Sequence, residues 1–291
     1  TEQFSASSGR ASYTETEKGI TVKANGRTFV FSKKDGQLKD VSVNNRKISF
    51  ANGPRFIGAR RADRSLDQFY NHDDEKAKAK DRTYSEFTDA AVFTKLDVKE
   101  EGGNLILTAN YKLGNLDKAQ WTIHPDGMAT LDYTYNFSGV VDLMGICFDY
   151  PEEQVLSKRW LGAGPYRVWQ NRIHGTQYDI WENDYNDPIP GETFTYPEFK
   201  GYFGSVSWMS IRTKEGTISL TNETPDSYIG VYQPRDGRDR LLYTLPESGI
   251  SVLNVIPPVR NKVNSTDLCG PSSQPKWVDG PQTGRLVLRF E

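Results

Sequence analysis

Between Trp160 and Tyr185 the chain reads WLGAGPYRVWQNRIHGTQYDIWENDY, three tryptophans and three tyrosines interleaved with Arg, Asn, Gln and Asp around a Gly-Pro corner. Four of the six tryptophans fall between Trp160 and Trp208, with Phe194, Tyr196, Phe199, Tyr202 and Phe203 among them. A buried core has no use for the polar residues, and an ordinary loop has none for the rings. Sugars present flat C–H faces that lie on aromatic rings and hydroxyl rims that take two-pronged polar partners, so this mixture suits a carbohydrate. The competing reading is that these rings are core, or cover the edge of a sheet.

Acid–base chemistry on a sugar ring needs a histidine to protonate the ring oxygen and a carboxylate to take the anomeric proton. The chain offers His72, His124 and His174. His124 adjoins the Asp126-Gly127 turn and is expected to face solvent, whereas His174, in NRIHG, is placed to line a cleft as a ligand contact. His72 lies in YNHDDE beside Asp73 and Asp74, an oxygen-rich cluster of the kind that recruits Ca²⁺, but the glycine-spaced loop of a calcium motif is missing. A solvated charged loop is the preferred reading there, so neither metal nor cofactor is expected. No Ser-His-Asp arrangement, phosphate-cradling glycine loop or activated cysteine stands out. Cys147 and Cys269 show no CxxC spacing and read as two small buried hydrophobes or one bridge.

The elements that must position these residues are strands. In LDYTYNF, Leu131, Tyr133, Tyr135 and Phe137 alternate with Asp132, Thr134 and Asn136, the period of a half-buried strand. The stretch before it reads as one arm of a hairpin reversing at Asp126-Gly127, a dipeptide that tolerates the positive φ values of a type I′ turn. Similar reversals recur at Asn25-Gly26, Asp35-Gly36, Gly102-Gly103 and Glu215-Gly216, and between them GITVKA, TFVFSK, NLILTANYKL, SVSWMSIRT, TISLT and GRLVLRF are short and rich in β-branched or aromatic residues. Only Ser65 to Arg82 could be helical, and its charges form no amphipathic stripe, so a loop is preferred. Gly53 to Tyr84 and Gly162 to Tyr202 break the strand rhythm, and irregular connections on a rigid scaffold are where binding groups are usually carried. The pattern predicts an all-β sandwich of large antiparallel sheets.

Composition excludes several classes. Hydrophobic residues at 36% and charged residues at 25% describe a globular chain, and no apolar run approaches the length of a spanning helix. Net charge is −2, with Lys and Arg dispersed, so the basic stripe of a nucleic-acid binder is missing. Neither nucleic acid nor a membrane is expected as a partner. The opening TEQFSASSGRASYTE is a polar, Ser/Thr-rich run that reads as a linker or an expression boundary over residues 1–17, leaving 18–291 as one domain of something longer.

WLGAGPYRVWQNR resembles the W-x-G-x-G-P-x-x-x-Y-x-D-R segment of the C-terminal domain of family 2 glycoside hydrolases of the β-galactosidase type. Trp160, Gly162, Gly164, Pro165, Trp169 and Arg172 match, with Asn171 where the family has Asp. YPEFKGYFGSVSWMSI is similar to the family's Pro-x-Glu-x-Gly segment and following strand, at Pro197, Glu198 and Gly201. GPRFIGARRADRSLDQ keeps Arg61 and Ala62 of an Arg-Ala-Pro segment but has Asp63 for the proline. DLCGPSSQPKW resembles the loop before the last strands, at Gly270 and Trp277.

The resemblance implies a galactose mutarotase-like β-supersandwich that follows a catalytic barrel and lends a loop to its sugar site, the two acidic catalytic residues belonging to the barrel. No barrel is legible in this chain, whose strands are not interleaved with helices. The expectation is therefore a non-catalytic carbohydrate-binding domain, with the barrel of its parent chain as partner and a periplasmic or extracellular location. A stand-alone aldose epimerase and a purely structural support for a barrel are the alternatives. Expected sugar-facing residues are Trp160, Tyr166, Trp169 and Trp277 for stacking, with Arg167, Arg172, His174 and Glu198 for hydroxyl or carboxylate recognition.

Overall fold

The computed structural model describes residues 9–61, 84–87, 89–184, 201–231, 246–258 and 271–291. In chain order its strands are β1 (Ser12–Glu15), β2 (Gly19–Ala24), β3 (Arg27–Ser32), β4 (Leu38–Val43), β5 (Arg46–Ile48), β6 (Ala51–Arg61), β7 (Tyr84–Glu86), β8 (Val92–Glu101), β9 (Asn104–Lys112), β10 (Leu116–Ile123), β11 (Ala129–Val141), β12 (Leu143–Asp149), β13 (Val155–Gly164), β14 (Gln177–Asp184), β15 (Phe203–Gly204), β16 (Trp208–Thr213), β17 (Thr217–Asn222), β18 (Tyr228–Val231), β19 (Ile250–Val255) and β20 (Lys276–Phe290). They form two antiparallel sheets. The first runs β1-β2-β3-β4-β6-β12-β19-β18-β15, with β5 beside β4 and β7 beside β6; the second runs β14-β13-β16-β17-β20-β11-β10-β9-β8.

Local chemistry sets the reversals. Asn25 and Gly26 join β2 to β3 with φ of 43° and 75°, and Gly102 and Gly103 join β8 to β9 with 60° and 86°, the two positive values a type I′ turn requires. The β10–β11 reversal differs from expectation. Gly127 N–H donates to the His124 carbonyl at 2.9 Å and only Gly127 has positive φ, at 86°. Pro125, its ring fixing a negative φ, and Asp126 therefore form a type I turn followed by a left-handed glycine.

Alternate residues of both sheets meet in one core. Phe31 of β3 lies edge-on to Trp121 of β10 at 5.9 Å, and Phe50 packs on Phe290 of β20 at 5.3 Å. In β11 the expected alternation is realised, Leu131, Tyr133 and Tyr135 being buried. The sequence LMGICFD of β12 does not alternate, because both of its faces are covered. Met144, Ile146 and Phe148 join the main core, while Leu143 and Cys147 join a second cluster with Ile57, Ala59, Leu253, Val168, Trp169 and Tyr202 on the far side of the first sheet. The segment after Gly164 thus forms part of a third layer.

The stretches expected to be irregular contain strand. β6 extends to Arg61, and β14 lies within the span between Gly162 and Tyr202. Ser12–Glu15, in the polar run read as linker, pairs with β2. The stretch from Ser65 to Arg82 lies outside the described residues.

Candidate functional site

β13 carries the chain into the aromatic corner, and its geometry rests on its neighbours. A Cβ at Gly162 would come within 3.0 Å of the Gly204 and Ser205 carbonyl oxygens, and one at Gly164 within 2.4 Å of the Trp181 indole. Trp181 lies over that glycine and its Nε1–H faces the Gly162 and Gln177 carbonyl oxygens, both at 3.2 Å. The chain then leaves the sheet through the cis Gly164-Pro165 peptide.

Beyond Pro165 it folds back over the first sheet. Val168 and Tyr202 exchange backbone hydrogen bonds of 2.7 and 2.8 Å, and Arg172 N–H closes a tight turn onto the Trp169 carbonyl at 2.8 Å. Val168, Trp169 and Tyr202 pack against Ile57, Leu143, Cys147 and Leu253, with the Trp169 and Tyr202 rings edge-to-face at 5.5 Å. Gly201 lets the two backbones meet, since a Cβ there would sit 2.5 Å from the Val168 carbonyl oxygen.

Gln170, not singled out from the sequence, ties the corner to the C-terminal region. Its N–H donates to the Pro257 carbonyl at 3.0 Å and its Nε2–H to the Gln274 carbonyl at 2.6 Å. That bond brings the 3-10 turn Pro271–Ser273 and the start of β20 against the corner, with Trp277 three residues beyond Gln274. Its only sequence signal is its place inside the matched segment.

Seven of the eight expected sugar-facing residues lie among the described residues, and they divide into two groups. Tyr166, Arg172, His174 and Trp277 are exposed, Tyr166 at 53% and Trp277 at 69%. Tyr178 and Ile180 on β14 are exposed as well. Trp160 and Trp169, by contrast, cannot stack on a sugar. Trp160 is 1% exposed, edge-on to Phe203 at 4.8 Å, with its Nε1–H donated to the Ala163 carbonyl. Trp169 is 3% exposed in the covering layer, and Arg167 is also buried, so neither offers a surface contact. Glu198 lies outside the described residues, as do Pro197, Ala62, Asp63, His72, Cys269 and Gly270.

The remaining titratable candidates have structural surroundings. His124 is half-buried, with Nε2 2.9 Å from the Thr130 hydroxyl, rather than solvent-facing. Burial pushes the Cys147 thiol up to about 11, against the opposing pull of Arg55, so at neutral pH it is a protonated hydrophobe and not a nucleophile.

Residues 23–254 match the family model described as the β-galactosidase small chain. The chain belongs to the β-galactosidase small-chain family. Among solved structures, this family member is similar to a galactose 1-epimerase from Lactobacillus acidophilus, at 9% identity and a TM-score of 0.53, over 98% of this chain and 99% of that one. It also resembles a galactose mutarotase-like protein from Lactobacillus casei, at 11% identity and a TM-score of 0.40, over 97% and 100% of the two chains. An α-N-acetylgalactosaminidase from Bifidobacterium bifidum aligns at 11% identity and a TM-score of 0.43, over 93% of this small-chain member and 36% of the enzyme. Comparison with curated proteins gives no match. The epimerase likeness establishes the fold, a galactose mutarotase-like sandwich, and at this identity nothing further.

Proposed function

We propose that this chain is a non-catalytic, carbohydrate-binding domain that completes the sugar site of a larger β-galactosidase-like glycoside hydrolase, whose catalytic barrel is its partner. The observation that carries this reading is the corner at 165–172. Its inward residues Val168, Trp169 and Gln170 are fixed against the first sheet and against Gln274, while Tyr166, Arg172 and His174 are exposed in the same stretch of chain and Trp277 is exposed three residues beyond Gln274. Such a corner fixes the backbone that carries the exposed ring and polar groups before a ligand arrives, which lowers the ordering cost of recognition. Tyr166 and Trp277 supply the stacking surfaces, and Arg172 and His174 the hydroxyl contacts. Membership of the small-chain family supports a role beside a separate catalytic unit.

Calorimetric titration with galacto-oligosaccharides, after screening on a glycan array, tests this reading. Tyr166→Ala and Arg172→Ala are each expected to weaken binding at least tenfold without lowering the unfolding midpoint. Millimolar oligosaccharide without detectable heat would leave only a structural support for the barrel. Polarimetry on fresh α-galactose discriminates against an epimerase: no acceleration of mutarotation is expected, and acceleration abolished by His174→Ala would overturn the non-catalytic assignment.

A further inference from the structure

A cavity of about 270 Å³ opens on the outer face of the second sheet, away from the corner, where β17 stops and β20 continues. β17 ends at Asn222, paired with Leu286. The Thr224 side chain then takes the place of the next strand residue: its hydroxyl accepts from Arg285 N–H at 3.0 Å and lies 3.2 Å from the Arg285 carbonyl, which also accepts from Glu223 N–H. Past that point β20 remains paired with β11 as far as Lys276, but no described strand lies along its other edge. The cavity lies on the sheet face over β10, β11 and β20, walled on one side by Glu223 and Pro225 where β17 has ended.

Its lining has a definite chemistry. Lys118 and Arg285 face Asp132 and Glu223, two positive groups against two negative ones, over a floor of the Thr134 and Thr283 hydroxyl-bearing residues. Arg285 reaches Asp132 at 3.4 Å and Glu223 at 3.2 Å, with all three side chains at least 40% exposed. Ion pairs this long and wet hold little energy and leave guanidinium and carboxylate positions available to another partner. The balance of charge gives no net attraction for an anion.

An added peptide strand is also disfavoured. Arg285 N–H and C=O point toward the open edge, so by the two-residue period those of Thr283 and Pro281 do too, and Pro281 has no N–H to give. Gly280, at φ 93°, further interrupts the edge. A neutral polyhydroxyl ligand suits the lining better, since carboxylate and guanidinium groups take neighbouring hydroxyls in pairs. On the same strand the exposed Trp277 lies six residues from Thr283, about 20 Å away at the rise of an extended chain.

We propose that this cavity is a subsite for an uncharged sugar residue, bound through Asp132, Arg285, Thr134 and Thr283, of a glycan that continues along β20 toward Trp277. The inference rests on the carbohydrate-binding reading and places a second point of contact within it.

Amide-resolved NMR of the chain, titrated with cellohexaose, mannohexaose, β-1,4-galactohexaose and hexagalacturonate, tests the subsite. At least one neutral hexasaccharide is expected to shift the Thr134, Thr283 and Arg285 amides saturably, together with Trp277. Asp132→Ala, which removes a ligand group, and Thr283→Trp, which fills the space, are each expected to weaken the affinity read at those amides at least tenfold with unchanged unfolding midpoints. Shifts confined to residues 166–174 and Trp277 would overturn the subsite and leave the carbohydrate reading standing. No shift at either place with any hexasaccharide would overturn both. Shifts at the cavity from hexagalacturonate alone would overturn the assignment of a neutral ligand.

Discussion

At Gly201 a methyl group would meet the Val168 carbonyl oxygen at 2.5 Å, backbone against backbone, where neither side can swing away. Trp169 beside it fills the space between Tyr202 and the first sheet. Gly201→Ala is expected to destabilise the chain by about 1–3 kcal/mol through overpacking, and Trp169→Ala by about 3–5 kcal/mol through the cavity it leaves. Urea unfolding measures both. A midpoint unchanged in both variants would mean that the corner is not anchored as described. Trp160 shows why the sequence misplaces a residue of this kind. It shares a face of β13 with Lys158, and a lysine at that spacing argues for a solvent-facing row. In the structure both point inward, Lys158 being 1% exposed with Nζ 5.8 Å from the centre of the Phe203 ring. The ring and the lysine break the binary pattern together, so neither reveals the other.

Among the elements, the hairpins were the most legible. Asn25-Gly26 and Gly102-Gly103 carry their turn type in their residues, and the alternation of β11 identifies its buried face. β12 is legible only as an apolar run, because a strand covered on both sides loses the period that distinguishes its faces. The third layer was not legible as such: nothing in PYRVWQNR indicates that Val168 and Trp169 lie against a sheet while Tyr166 and Arg172 face out. At the β10–β11 turn, Gly127→Ala would force an alanine to φ 86° and bring its Cβ within 2.8 Å of the Arg27 side chain. A loss of about 1–2 kcal/mol is expected from the left-handed conformation, measurable as a lower thermal midpoint. An unaltered midpoint would show that the turn relaxes.

Across the whole molecule, groups buried in both sheets couple stability to alkaline pH. Burial pushes Cys147 in the first sheet up to about 11 and Tyr133 in the second up to about 12, and raises Tyr135 and Tyr150 as well. For each, the folded value lies above the unfolded one, so the neutral form is favoured in the folded chain. The stability linked to these groups is complete below the unfolded values, near 9 for the thiol and 10 for the phenols, and drains as pH rises through the folded ones. Unfolding free energy should therefore fall from about pH 9 upward, with the phenolate absorbance of the buried tyrosines appearing together with unfolding. Ionisation of all the tyrosines near pH 10 in a chain that stays folded would contradict the buried placement. The sheet scaffold that buries them was predicted from the recurring turns and short strands, and the family match over residues 23–254 agrees with the matched segment at Trp160–Arg172.

The covering layer over the first sheet separates what the chain shows from what keeps it folded. Gly164, Trp169 and Gly201 form a fixed frame beneath, whereas Tyr166, Arg172 and His174 are mounted on top of it and touch little of the interior. On the carbohydrate-binding function proposed above, exchanging those three outward side chains in a combinatorial library is expected to change ligand preference, with the frame held constant and most members still able to fold.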